Sequence, residues 1–187
     1  MKYILSLISI FLLLSFRPLD GIYDITIKTI DGKKVELSQF RGKKMLFILL
    51  PLSAHDTTVS VNDLARLQTK YQSSLVVIGV ASEEAGYRSQ DAGNLKNIYK
   101  DAGANIIIAE GAKAKKGTGQ SSLFQWLTNK DMNHHFDKDA EGVGSKFFID
   151  EKGELYAVIG PRIGLSNPLM DRIITRPNIK SNQEKKN

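Results

Sequence analysis

The stretch IYDITIKTIDGKKVELSQFRGKKMLFILLP, from Ile22 to Pro51, decides the fold. Tyr23 to Thr29 alternates in polarity, which puts Ile25 and Ile27 on one face of a strand. Asp31-Gly32 is a hairpin-turn pair, because the tight turn needs a positive φ that glycine adopts without strain. Lys33 to Leu37 returns as the partner strand, and Ser38 to Gly42 turns the chain again. Met45 to Leu50 is then apolar without a break until Pro51, the pattern of a strand covered on both faces.

Downstream, the polar run Ser53 to Thr58 leads into a helix. Ser60 and Asp63 have capping-box spacing, and Val61, Leu64, Leu67 and Tyr71 share one face. Leu75 to Ala81 is a second buried strand. Ser89 to Ala102 is expected to be helical with Leu95, Ile98 and Tyr99 inward, and Asn105 to Ala109 is a third core strand. After a Gly- and Lys-rich loop (111–119), Ser122 to Asn129 forms a helix carrying Leu123, Phe124, Trp126 and Leu127, while Lys130 to Gly144 reads as polar and irregular. Lys146 to Asp150 and Glu154 to Ile159 form a hairpin across Glu151-Lys152-Gly153. The last helix, Pro168 to Thr175, packs through Leu169, Met170, Ile173 and Ile174. Strands alternate with helices in the middle and hairpins close both ends, which predicts an α/β sandwich around a mixed sheet.

Composition limits the chemistry. The chain has 187 residues and no cysteine, with Lys+Arg 26 against Asp+Glu 20. One domain of this length buries a core without disulfides. Without sulfur nucleophiles, no thiolate chemistry can run on its own side chains. The net charge of +6 is scattered, which argues against a nucleic-acid reader. Lys2 followed by an apolar run from Tyr3 to Phe16 reads as a signal peptide, since fourteen residues as helix span about 21 Å against a hydrocarbon core of about 30 Å. Residues 1–21 are therefore assigned to a signal peptide, or to an N-terminal membrane anchor if uncleaved. Residues 22–176 form the domain, and residues 177–187 are a polar tail expected to be disordered. Export, periplasmic or secreted, is the expected location, with membrane anchoring as the alternative.

Four segments resemble the glutathione peroxidase family: Ile22 to Lys43, Leu64 to Ser82, Leu123 to Leu127, and KFFIDEKGELYAVIGP from Lys146 to Pro161. The resemblance covers most of residues 22–175. It implies a thioredoxin-like three-layer sandwich with a mixed central sheet and an extra N-terminal β-hairpin. It also implies a peroxidatic Cys or selenocysteine after the first core strand, at the start of a helix. Here that position is Ala54, or His55 with a shift of one residue. The family's Gln matches Glu84, whose carboxylate would raise the pKa of a neighbouring thiolate. The family's Trp-Asn pair matches Gly142 and Val143, or a gapped alternative at His134-His135-Phe136. Trp126 belongs to the preceding helix. Loss of the whole constellation points to a natural pseudoenzyme rather than an engineered Cys-to-Ala variant.

Other patterns are weaker. Asp137 to Gly142 imitates the first half of a calcium loop, with Asp137 and Asp139 as ligands, but Phe148 stands where the closing Glu belongs. His134, His135, Asp137 and Asp139 are the candidate metal ligands. Ser53, His55 and Asp56 contain the residue types of a triad, but Ser53 and Asp56 suit a helix entry better. No cofactor is expected. The expected partner is a protein or small-molecule ligand of unspecified kind. The rival reading is an enzyme: a peroxidase of oxidative-stress defence by family, or an acid–base catalyst using His55 and Glu84.

Overall fold

A computed structural model describes residues 21–177. The expected signal peptide and polar tail lie outside the described residues, apart from Gly21 and Pro177. The elements are β1 (Thr26–Lys28), β2 (Lys34–Glu36), β3 (Lys44–Leu49), α1 (Val61–Tyr71), β4 (Leu75–Ser82), α2 (Ala92–Asp101), β5 (Ile107–Ala112), α3 (Ser122–Thr128), α4 (Lys130–Asn133), β6 (Lys146–Ile149), β7 (Leu155–Ile159) and α5 (Pro168–Thr175).

The main sheet has five strands in the order β5-β4-β3-β6-β7. Strand β3 is parallel to β4 and antiparallel to β6. Its apolar run divides between two layers, as a period of two requires. Met45, Phe47 and Leu49 face the hairpin residues Ile25 and Ile27 and Phe124 and Trp126 of α3. Leu46, Ile48 and Leu50 face Leu64 and Leu67 of α1, Leu95 and Tyr99 of α2, and Met170 and Ile174 of α5. This is the three-layer, mixed-sheet architecture that the sequence implied.

The first hairpin forms at the expected turn, with strands shorter than read: Tyr23 and Asp24 lie in a 3-10 turn (Ile22–Asp24), and Leu37 opens another (Leu37–Phe40). Gly32 has φ 75°, and its N–H donates to the Thr29 carbonyl at 2.8 Å. The second hairpin closes on Asp150, whose Oδ1 accepts the N–H groups of Lys152 and Glu154, each at 2.9 Å. The two ends of the domain meet there, because the Tyr23 hydroxyl donates to the Glu151 carbonyl at 3.2 Å.

Two elements differ from the sequence reading. Strand β5 runs on through Glu110 and Gly111 to Ala112, where a loop was expected from Gly111. Lys28 of β1 pairs with the Glu110 carboxylate at 2.6 Å, so the charge sits in the strand with a partner. The segment expected to be irregular holds the single-turn helix α4, capped by Asn129, whose side chain accepts the Asp131 N–H at 3.0 Å.

Gly79 of β4 lies between Ile48 and Ile108 in the sheet. A Cβ there would come within 2.3 Å of Leu50 Cδ1 and 2.8 Å of its Cγ. Leu50 is fully buried. Gly79→Ala is therefore expected to destabilise the domain by about 1–3 kcal/mol through overpacking. Urea denaturation measures this, and an unchanged midpoint would remove the steric account.

Candidate functional site

The carboxyl end of β3 is where the resemblance places the position of the family's nucleophile, Ala54 or His55 here. The chain leaves the strand through Leu50 and Pro51, and the Tyr99 hydroxyl of α2 holds the Pro51 carbonyl at 3.2 Å. A loop follows, and α1 does not begin until Val61. Ser60 is its cap, accepting the Asp63 N–H at 3.1 Å. Only half of the expected capping box forms, because the Asp63 carboxylate pairs with Arg66.

Ser53 and Asp56 are not helix-entry residues. They build a turn inside the loop: Ser53 Oγ accepts the His55 N–H at 3.2 Å, and Asp56 Oδ1 accepts the Thr58 N–H at 2.8 Å. Hydrogen bonds from the Thr58 side chain and backbone hold the Asp56 carboxyl below its ordinary pKa. Ala54 and His55 are exposed in this turn. Both stand well before the first turn of α1, so its unpaired N–H groups and dipole, which fall off within a turn, do not act on either position.

Glu84 follows β4 at the same end of the sheet, but its carboxylate is engaged. Oε1 accepts the N–H groups of Ala114 and Lys115, each at 2.9 Å, and Oε2 accepts the Ala114 N–H at 3.0 Å. Partial desolvation opposes ionisation. The Lys115 and Ala114 N–H groups outweigh it and hold the pKa below the ordinary value. Glu84 is thus a clamp on the loop after β5 and has the wrong affinity for protons to act as a base near neutrality.

Gly142 and Val143 do reach the end of β3. The next two residues stitch the segment down: Gly144 N–H donates to the Leu49 carbonyl at 2.8 Å, and Leu49 N–H donates to the Ser145 carbonyl at 3.0 Å. Gly142 has φ 111°, which disfavours any side chain there. Trp126 is buried in the core with its Nε1 unpartnered.

The remaining candidates lie elsewhere. His134 (φ 64°) ends α4 and is the one described non-glycine residue with positive φ. His134 and His135 border a cavity of about 630 Å³ with Tyr23, Arg41 and Gly153. Those neighbours belong to the end of the sheet where β3 starts and β6 finishes, opposite His55 and Glu84. Asp137 pairs with Lys116 Nζ at 2.5 Å, and Asp139 accepts the Lys116 N–H at 2.8 Å. The lysine holds the Asp137 pKa below its ordinary value. Among the described residues no group of three His, Cys, Asp or Glu side chains converges as a metal site would need.

One residue of this end escaped the sequence reading. Lys146 opens β6 and is 1 % exposed. Its Nζ donates to the Gly144 carbonyl at 2.6 Å and reaches the Gly160 carbonyl at 3.5 Å. Desolvation lowers its pKa from 10.5 to about 8. The only sequence signal was a lysine heading an apolar run.

No family model matches the chain. It is 24 % identical over 145 residues to a probable phospholipid hydroperoxide glutathione peroxidase of Solanum lycopersicum, covering 72 % of this chain and 80 % of the relative. It is 25 % identical over 133 residues to glutathione peroxidase 2 of Sapajus apella, covering 68 % and 70 %. Among solved structures it is similar to Trgpx in its apo form, with a TM-score of 0.61 at 17 % identity, over 84 % of this chain and 97 % of that one. GPX1 of T. cruzi gives 0.60 at 17 % over 82 % and 94 %. A thioredoxin-family thiol:disulfide interchange protein of Chlorobium tepidum gives 0.51 at 19 % over 76 % and 86 %. The sequence similarity to glutathione peroxidases is weak but consistent, and the fold is thioredoxin-like.

Two outcomes follow. With its folded pKa depressed, Lys146 sheds its proton in the native state first, so stability should rise with pH between about 8 and 10.5. Lys146→Met should flatten that rise, as read by denaturation midpoints across the range; an unchanged slope would show that Lys146 is not its source. For Glu84, stability is present at neutral pH and lost as pH falls through its lowered pKa. Glu84→Gln should speed hydrogen exchange at the Ala114 and Lys115 amides, and unaltered protection would mean that the clamp is not holding the loop.

Proposed function

We propose that this divergent, cysteine-free relative of the glutathione peroxidases is an exported, redox-silent binding module. The absence of cysteine carries the reading. Peroxide reduction by a thiol peroxidase needs a thiolate that is oxidised to sulfenic acid and then recycled. Neither Ala54 nor His55 can undergo that cycle. The placement of both in an exposed turn ahead of α1 adds support, since that geometry would not activate a thiol even if one were supplied. Export rests on Lys2 and the apolar run from Tyr3 to Phe16.

The rival acid–base reading lacks a site. Such catalysis needs groups brought within reach of one reacting atom. His55 and Glu84 stand at one end of the sheet, and His134 and His135 border a cavity at the other.

The test is a coupled assay of the mature domain with hydrogen peroxide or an organic hydroperoxide and a thiol reductant. No turnover above buffer is expected. Ala54→Cys and His55→Cys should gain the alkylation rate of an ordinary exposed cysteine and still fail to turn over. Turnover by the unmodified chain comparable to a cysteine-containing relative would end this reading.

A further inference from the structure

The two edges of the main sheet are treated differently. On the β5 side the first hairpin covers the edge: Ile30 N–H donates to the Ile108 carbonyl at 3.0 Å, and Thr29 forms a bridge with Ala109. On the other side β7 is the last strand, and no described strand pairs with its outer edge. Its sequence, Leu155-Tyr156-Ala157-Val158-Ile159, has no charge and no proline, and all but Leu155 are half-buried. Edge strands normally carry a charge, a proline or a cover that prevents pairing with another chain. Strand β7 has one protecting feature, a bulge at its start, and neither a charge nor a proline; the ladder beyond the bulge is regular.

A groove of about 490 Å³ runs along this edge. Leu155 to Val158 line it together with His135 and Phe136, which follow α4, and with Arg176 and Pro177, which follow α5. A recessed edge of this shape admits a single extended strand more readily than a second folded copy.

At the start of β7 the groove carries a loosely paired negative charge, the Glu151 carboxylate, whose side chain is 39 % exposed. The Glu151 Oε2 atom is buried with no hydrogen-bond partner. Its Oε1 is 3.8 Å from Lys44 Nζ, outside hydrogen-bond range. Lys44 cannot serve it better, because its ammonium donates to the carbonyls of Ile174 and Arg176, each at 2.6 Å. Glu154 also lines the groove beside the cations of Lys44 and Arg176, while the Asp150 carboxylate is engaged by the Lys152 and Glu154 N–H groups. A carboxylate without a hydrogen-bond donor is served best by a donor with positive charge, and the exposed part of the Glu151 side chain is where an incoming donor reaches it.

We propose that the groove receives an extended segment of a partner protein that adds as a strand to β7 and carries a lysine or arginine to Glu151. The open ladder supplies the backbone pairing, the apolar walls take alternate side chains, and the carboxylate sets the position of the basic residue. This deepens the binding-module reading and rests on it.

The probe is a blocked heptapeptide alternating threonine and valine around a central lysine, titrated into the full chain and followed by amide NMR and hydrogen exchange. Binding should shift and protect the amides of residues 155–159. Replacing the lysine by glutamate should weaken it roughly tenfold. Methylating alternate backbone nitrogens of the peptide should abolish it. Glu151→Gln should bind both peptides alike while keeping the parent denaturation midpoint. No perturbation of 155–159 at millimolar peptide, or equal binding of both peptides by the parent chain, would overturn the proposal. So would binding seen only after deletion of residues 178–187, which would assign the groove to the chain's own terminus. The peroxidase assay reads independently of these results, so failure of the groove is distinguishable from failure of the redox-silent reading.

Discussion

Strand β3 touches protein on every side. All six residues from Lys44 to Leu49 are buried, with β4 along one edge, β6 along the other and a packed layer on each face. A strand so placed has no water to satisfy its backbone, so each N–H and C=O must find a ladder partner. Slipping its register by one residue would exchange Met45, Phe47 and Leu49 with Leu46, Ile48 and Leu50 between layers of different shape. The parallel partner β4 also demands a crossover, which α1 supplies by packing Leu64 and Leu67 on the Leu46 face. The rest of the domain is built against this one strand.

That constraint explains how the scaffold keeps its shape without a cysteine. The end of β3 is closed by backbone groups of Gly144 and Ser145, which need no particular side chain at 142 or 143. The loop is anchored by the Pro51 carbonyl and by buried Val59, and the residues between Leu52 and Thr58 contribute little to the core. Exposed loop positions change at small cost to stability. Ala54 and His55 are such positions, so the fold exerts no pressure to keep a nucleophile there. Glu84 is different: it has a structural task, because its carboxylate fixes the backbone at Ala114 and Lys115.

Features fixed by local chemistry were readable from sequence. The unbroken apolar run gave β3, Asp31-Gly32 gave the first hairpin, and the bounds of α5 follow from Pro168 after the Asn167 cap. Features fixed by distant partners were not. Strand β5 extends past Glu110 because its backbone goes on pairing with β4 as far as Ser82 and Ala112, and Lys28 of β1 pairs with the Glu110 carboxylate on the way. Ser53 and Asp56 suit a cap or a turn equally well by type, and only the position of α1 decides between them. At the site, Gly142 and Val143 could be matched because the following hairpin fixes their offset from Lys146. The burial of Lys146, and the separation of His134 and His135 from His55, depend on strand order, which no local pattern encodes.

The two ends of β3 bury a lysine each and surround it differently. Lys146 has carbonyl acceptors alone, and desolvation of its charge goes uncompensated by any carboxylate. It ties two strand ends together in a closed region. Lys44 also donates to two carbonyls, yet it stands beside Glu151 at the mouth of an open groove. Open α/β sheets usually bind ligands at the carboxyl ends of their parallel strands. Beside β3 that end offers exposed loop residues and a satisfied clamp, while a loosely paired carboxylate and an unpaired strand edge occur together at the opposite end. A partner strand laid along β7, as proposed, would meet both demands at once, because the ladder groups and the Glu151 carboxylate lie along the same groove.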